Sequence, residues 1–206
     1  MFVKKQKKIK ASVFCFSKFY VFVSFFPFLQ RNKIMILEYN KTQNNSLYMA
    51  IYKELVSAFL SKKAIAVTGA SRSGTGTGNI IFKKLKDAGY NVYQVNPEAD
   101  EIKSDKCYRS LINLPEKAES VIICTKPEDS IRVIQECAAT GVQYAWIHRA
   151  FGKGSYSDEA AGLCNQLGIR LIPSGCPMMF IEPVDFPHKC FHWIFRLTGK
   201  IPKTTV

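Results

Sequence analysis

Short apolar runs that alternate with stretches of helical periodicity limit the folds open to this chain more than any other feature of the sequence. AIAVT (64–68), YNVYQVNP (90–97), SVIICT (120–125), VQYAWIH (142–148) and IRLIPS (169–174) each have the length and apolar content of a buried strand. Between them lie NIIFKKLKDAG (79–89), PEDSIRVIQECAATG (127–141) and SDEAAGLCNQLG (157–168), with apolar residues at helical spacing and a Gly, Pro or Ser/Asp signal at their ends. Residues 51–60 read as a further amphipathic helix, with Ile51, Leu55, Phe59 and Leu60 on one face. EADEIKSDKCYRSLINLP (98–115) reads as polar connecting chain with one short apolar stretch. Strands buried on both faces and joined by helices require a parallel sheet covered on both sides.

The predicted architecture is therefore α/β, a doubly wound, Rossmann-like parallel sheet with helices on both faces. In such a sheet ligands bind beyond the carboxyl ends of the strands, and the loop after the first strand brings backbone amides to a phosphate at the following helix. That loop lies within AVTGASRSGTGTGN (66–79), where Gly69, Gly74, Gly76 and Gly78 fall within ten residues. Bare backbone permits close approach of a phosphate, Ser71, Ser73, Thr75 and Thr77 add hydroxyl donors, and Arg72 adds positive charge. A flexible turn alone needs far fewer glycines, so a phosphate-bearing ligand is expected.

TGAS is similar to the start of the cofactor loop of short-chain dehydrogenases, but three features oppose that reading. Gly74 follows Gly69 by five residues where that family has four, and no tyrosine is followed four residues later by lysine. The second strand ends in Val95-Asn96-Pro97, with no acid for the ribose hydroxyls of NAD. Only Glu98 and Asp100 lie near enough to serve.

The segments IAVTGASRSGTGTGN, VYQVNP, CYRSLINLPEKAESVIICTKP and GVQYAWIHRAFGKGS, with the tail GCPMMFIEPVDFPHKCFHWIFRLTGKIPK, resemble the Rossmann-type CoA-binding domain. That domain occurs in the succinyl-CoA synthetase alpha subunit and alone in small bacterial proteins. The resemblance runs from about Ser61 to Lys203. It implies that Gly69, Ala70, Ser71, Arg72 and Ser73, with Gly74, Thr75, Gly76, Gly78 and Asn79, line the pyrophosphate and pantetheine entry of coenzyme A or an acyl-CoA. It implies that Asn96 and Pro97 border the adenosine, and that Cys124, Thr125, Lys126 and Pro127 close the other side. Lys126 reads equally as a solvated loop charge, and Cys124 as a packed strand cysteine. The synthetase's second domain with its phosphorylated histidine, and its ATP-grasp partner, have no counterpart here, so ligase activity does not follow from the resemblance.

Three functions stay open: a non-catalytic CoA or acyl-CoA binding module, which the sequence favours; an NAD(P)-binding oxidoreductase or redox sensor; and an enzyme that uses CoA as substrate. In the third, Cys176 exchanges with the CoA thiol. No catalytic residue is assigned. His148 is the histidine nearest a ligand edge, although a hydrogen-bonded strand-end histidine accounts for it more simply.

Charge and cysteine content narrow the setting. Of the net charge of +13, residues 1–48 supply +8, from nine Lys/Arg against Glu38, and the remaining 158 residues only +5. No recognition helix or finger spacing accompanies that charge, so no nucleic-acid partner is expected. Seven scattered cysteines without a CxxC pair point to a reducing, cytoplasmic setting. Cys176, His188, Cys190 and His192 approach metal-ligand spacing, but apolar residues at helical spacing around them favour a packed helix, and no metal is assigned.

Domains are expected at 1–48 (a basic, Phe-rich extension), 49–175 (the binding domain) and 176–206 (a C-terminal packing segment). The stretch before the Asn-rich linker YNKTQNNS resembles a signal peptide or a signal anchor, but no small-x-small cleavage site follows, Lys18 and Pro27 interrupt it, and Met49 offers a natural start. An upstream extension poorly packed on the fold is preferred. A membrane partner follows only if that segment is made and acts as an anchor. A homo-oligomer stays open.

Overall fold

The computed structural model describes residues 47–150 and 154–198. The expectation that the N-terminal extension packs poorly falls outside them, as does the Lys-Ile-Pro-Lys end of the C-terminal tail.

A helix over 47–60, α1, leads into strand β1 (Ala64–Thr68), followed by α2 (Thr77–Asp87), β2 (Asn91–Val95), β3 (Glu101–Ile102) and β4 (Asp105–Tyr108). A 3-10 turn at Leu111–Asn113 precedes β5 (Ser120–Ile123), α3 (Pro127–Thr140), β6 (Tyr144–Ile147), α4 (Asp158–Gln166) and β7 (Arg170–Ile172). A second 3-10 turn, Pro177–Met179, leads to α5 (Phe186–Thr198). The seven strands form one sheet in the order β3-β4-β2-β1-β5-β6-β7, parallel except for the β3–β4 hairpin.

Alternation along each strand builds two cores, one on each face of the sheet. Ala66, Val121, Ile123, Ala145 and Ile147 point to the face covered by α3 and α4, against Val133, Ile134, Cys137, Ala160 and Cys164. Ile65, Val67, Ile122, Tyr144 and Trp146 point to the other, against Tyr52, Val56 and Phe59 of α1 and Ile81, Phe82 and Leu85 of α2. The doubly wound prediction is therefore met on both faces.

Caps explain the helix ends. Ser157 accepts a hydrogen bond from the Ala160 amide at the start of α4. Pro127 takes the first turn of α3, and Gly141 closes it at φ 71°. Gly89 (φ 82°) ends α2 as expected, but that helix begins at Thr77, two residues earlier than periodicity predicts.

Two further expectations are corrected. In α1 the buried face is Tyr52, Val56 and Phe59, while Ile51 is half exposed. Tyr52 tolerates burial because its hydroxyl donates to the Ser174 carbonyl at 3.1 Å. The stretch read as connecting chain holds the β3–β4 hairpin, which extends the sheet beyond β2. Its turn residues Lys103 (φ 48°) and Ser104 (φ 65°) adopt a left-handed conformation without the Gly or Asn that advertises such turns. The buried Gln94 side chain, donating to the Asp105 carbonyl at 3.0 Å, ties the hairpin to β2.

Candidate functional site

After β1 the chain turns to β2 on one side, while β5 flanks β1 on the other, so the connections diverge between β1 and β5. This is the topological switch point at which open α/β sheets form a crevice. The loops after β1 and β5 meet there backbone to backbone. Gly69 sits at φ 80°, and a Cβ on it would lie 2.5 Å from the carbonyl carbon of Cys124 and 2.6 Å from the amide nitrogen of Thr125. No side chain fits between those strand ends.

The loop from Gly69 to Gly76 is held by two asparagines. Asn79 Oδ1 accepts from the amides of Ser71 (2.8 Å) and Gly76 (3.1 Å), and its Nδ2 donates to the Ser71 carbonyl at 3.1 Å. Asn96 Nδ2 donates to the Ala70 carbonyl at 2.6 Å, and its Oδ1 accepts from the Glu98 amide at 2.7 Å. A turn closes between them, with the Gly74 amide donating to the Ser71 carbonyl at 2.9 Å. Gly78 lets α2 press onto the loop, since a Cβ there would stand 2.9 Å from the Gly69 carbonyl oxygen and 3.0 Å from the Ala70 nitrogen.

Outside this frame the loop is polar. The hydroxyls of Ser71, Ser73 and Thr75 form a chain with oxygen separations of 2.9 and 2.8 Å. The first-turn amides of α2, at Thr77, Gly78 and Asn79, have no carbonyl acceptor within the helix. No acidic residue occupies that turn, whereas Glu128 and Asp129 occupy the first turn of α3. An anion arriving at the crevice is therefore favoured at α2 over α3.

Positive charge surrounds the mouth. Arg72 pairs with Glu98 at 3.4 Å, both largely exposed. Lys126 is exposed at the N-cap of α3. Lys103, unremarked by sequence reasoning, lays its aliphatic chain across Gly74, so that a Cβ on Gly74 would meet its Cε at 2.3 Å. Beside it a cleft of about 600 Å³ runs between α2 and the hairpin, lined in part by Gly74, Thr75, Asn79, Gln94, Ile102 and Lys103. No local signal marked Lys103, because its placement depends on the hairpin.

The remaining candidates divide. Ala70, Gly74, Gly78 and Asn79 are buried as the frame, while Arg72, Ser73, Thr75, Pro97 and Lys126 are exposed at the mouth. Thr125 Oγ1 lies 3.2 Å from Ser130 Oγ, which donates to the Ser155 carbonyl at 2.9 Å, so Thr125 also fixes the start of α3. Burial raises the Cys124 thiol well above its ordinary range. Burial likewise pushes the Cys176 thiol up to about 11, which keeps it protonated at neutral pH, against the thiol-exchange reading. His148 directly follows β6, and desolvation lowers its pKa, leaving a neutral imidazole near pH 7. The two acids that follow β2 are both engaged by arginines: Glu98 by Arg72, and Asp100 by Arg109 through two 2.8 Å contacts. Among the described residues no group of three or more His, Cys, Asp or Glu is placed to hold a metal ion. His188 bonds to Asp185, and His192 packs edge-on against Phe180.

Comparison with known proteins places this geometry in a family. Residues 63–182 match the family model described as a CoA binding domain. The chain is 30% identical over 118 residues to the ADP-forming acetate–CoA ligase of Methanocaldococcus jannaschii, a match covering 55% of this chain and 17% of the ligase. It spans less than a third of the length of each of five acetate–CoA ligase relatives that it matches. The uncharacterized Bacillus subtilis protein YneT is 27% identical over 123 residues, covering 60% of this chain and 88% of that one. Among solved structures, a hypothetical protein from Pyrococcus horikoshii superposes with a TM-score of 0.58 at 28% identity, over 65% of this chain and 91% of that one. With more than half of its length matched by the family model, and the switch-point crevice that the model's residues enclose, this chain belongs to the CoA binding domain family.

Proposed function

We propose that the chain binds coenzyme A or an acyl-CoA, with the diphosphate against the loop from Gly69 to Asn79, and carries out no catalysis of its own. The observation that carries this reading is the double glycine contact: Gly69 against the end of β5 and Gly78 against Gly69 and Ala70 leave a rigid loop of bare backbone at the acid-free end of α2. Family membership supplies the class of ligand. Arg72, Lys103 and Lys126 supply cations at the mouth. Asn96 holds the loop, and Pro97 stands exposed beyond β2 toward the adenosine. Cys124 and Thr125 form the facing wall, and Pro127 starts α3 there. On this reading residues 49–175 are the binding domain.

The two-contact engagement of Asp100 by Arg109 supports CoA over NAD(P), because that carboxylate is not held ready for a ribose. The raised thiol pKa of Cys176 and the desolvated neutral His148 support binding without chemistry. A thermal-shift comparison of the full chain with CoA, acetyl-CoA, NAD and NADP tests the proposal, since a ligand specific to the native state raises its stability. CoA and acetyl-CoA are expected to raise Tm, with a shift that grows as the logarithm of ligand concentration above Kd, and NAD not to; the reverse result refutes the assignment.

A further inference from the structure

The net charge is confined to the two ends of the chain. Residues 49–185 carry 16 basic and 15 acidic residues, a net of +1, whereas residues 186–206 carry Lys189, Arg196, Lys200 and Lys203 and no acid. Residues 1–48 add +8. The domain that holds the crevice is thus nearly neutral, and the C-terminal segment is a cationic appendage.

Helix α5 lies within that segment with an orientation unusual for a surface helix. His192 packs on Phe180 with ring centroids 5.2 Å apart, and the His188 side chain is only 20% exposed, so the side bearing positions 188 and 192 is turned to the body. At 100° per residue, positions 186 and 193 fall on the far side. A solvated helix carries polar residues there. This one carries Phe186, 78% exposed, and Trp193, 64% exposed, with Lys189 on the flank. Exposed aromatics beside cations, with no acid in the helix, are the composition of a helix that lies in a membrane interface. Among the described residues no helix is long and apolar enough to cross a bilayer, so any contact of α5 with a membrane lies at its surface.

We infer that α5 is a peripheral membrane-docking helix for anionic phospholipid, with Phe186 and Trp193 entering the interface and Lys189 meeting the headgroups. The complementarity is specific in sign: cytoplasmic-type leaflets are anionic, and each cation near such a surface contributes about 1 kcal/mol, about fivefold in partitioning. The inference does not rest on the proposed CoA site.

Trp193 makes the test direct. The chain has two tryptophans, and Trp146 is fully buried in the core, so a change in emission on docking comes from Trp193. The full chain is titrated with phosphatidylcholine vesicles, with and without phosphatidylserine, with emission and co-sedimentation read together. The expected result is binding to the phosphatidylserine vesicles alone, with a blue shift and quenching by brominated lipid. Phe186→Ser with Trp193→Ser should reduce co-sedimentation about tenfold or more, and Lys189→Gln about fivefold, with circular dichroism and Tm unchanged. Three outcomes overturn the inference. One is equal binding to both vesicle types. Another is co-sedimentation with Trp193 emission unmoved, which assigns the binding to residues 1–48. The last is a blue shift that follows protein concentration without vesicles, which assigns the face to a second copy of the chain.

Discussion

Gly78→Ala separates two accounts of the glycine loop because they predict opposite signs. Gly78 lies in the first turn of α2 with no positive φ, and helix propensity alone makes Ala more favourable than Gly by about 1 kcal/mol. The added methyl, however, would stand 2.9 Å from the Gly69 oxygen and 3.0 Å from the Ala70 nitrogen, both backbone atoms. Those atoms cannot rotate aside as a side-chain end does, and Gly69 is itself pressed against Cys124. Overpacking of this kind costs about 1–3 kcal/mol, so the net expectation is a loss of about 1 kcal/mol, or about 2–4 °C in Tm for a domain of this size. Gly162→Ala is the internal control: Gly162 sits in α4 with nothing within 4 Å of its would-be Cβ, so the substitution should stabilise by about 1 kcal/mol. Urea denaturation of both variants gives the comparison, and CoA titration of Gly78→Ala should show at least about a tenfold weaker affinity as the amides withdraw. If Gly78→Ala is stabilised as much as Gly162→Ala, the close approach of α2 to the loop is refuted.

Ser104→Gly should stabilise the fold by about 1 kcal/mol, because Ser104 holds φ 65° in the hairpin turn; an unchanged denaturation midpoint would contradict that. Asn79→Ala removes three hydrogen bonds from the loop and should cost about 2–3 kcal/mol, with faster amide exchange over residues 71–76 and normal protection in α3. Arg72→Ala should weaken CoA about tenfold and flatten the salt dependence of binding, and an unaltered affinity would remove that cation from the site. Desolvation lowers the pKa of His148 in the folded state, so the native state binds fewer protons than the unfolded chain. The resulting stability is present above the ordinary histidine value and is lost as pH falls through the folded one. His148→Gln should flatten that acid limb in pH-dependent denaturation.

The architecture was legible because each strand alternates between two cores and each helix carries its own stop, as with Gly89 and Gly141. The loop was legible as a cluster of glycines, but the sequence could not distinguish glycines that frame it from residues at its mouth. Gly69 and Gly78 are required by contacts with Cys124 and with each other, which exist only once β1, β5 and α2 assemble. Asn79 and Asn96 read as ligand-facing polar residues, yet both already bind the loop backbone through their amide groups. The β3–β4 hairpin escaped notice because its turn uses Lys103 and Ser104 in place of Gly or Asn, and Lys103 escaped with it. In α1, Tyr52 is buried through a bond to Ser174, 122 residues away, a partner no local pattern contains.

Amide chemical shifts of the isotope-labelled full chain during titration with CoA test the central claim most directly. The account predicts that the largest changes fall on Ala70 to Asn79 and on Thr125 and Lys126, saturating together at one affinity, while NAD leaves them in place. Changes confined to other loops, or a response to NAD at these amides with none to CoA, would contradict it.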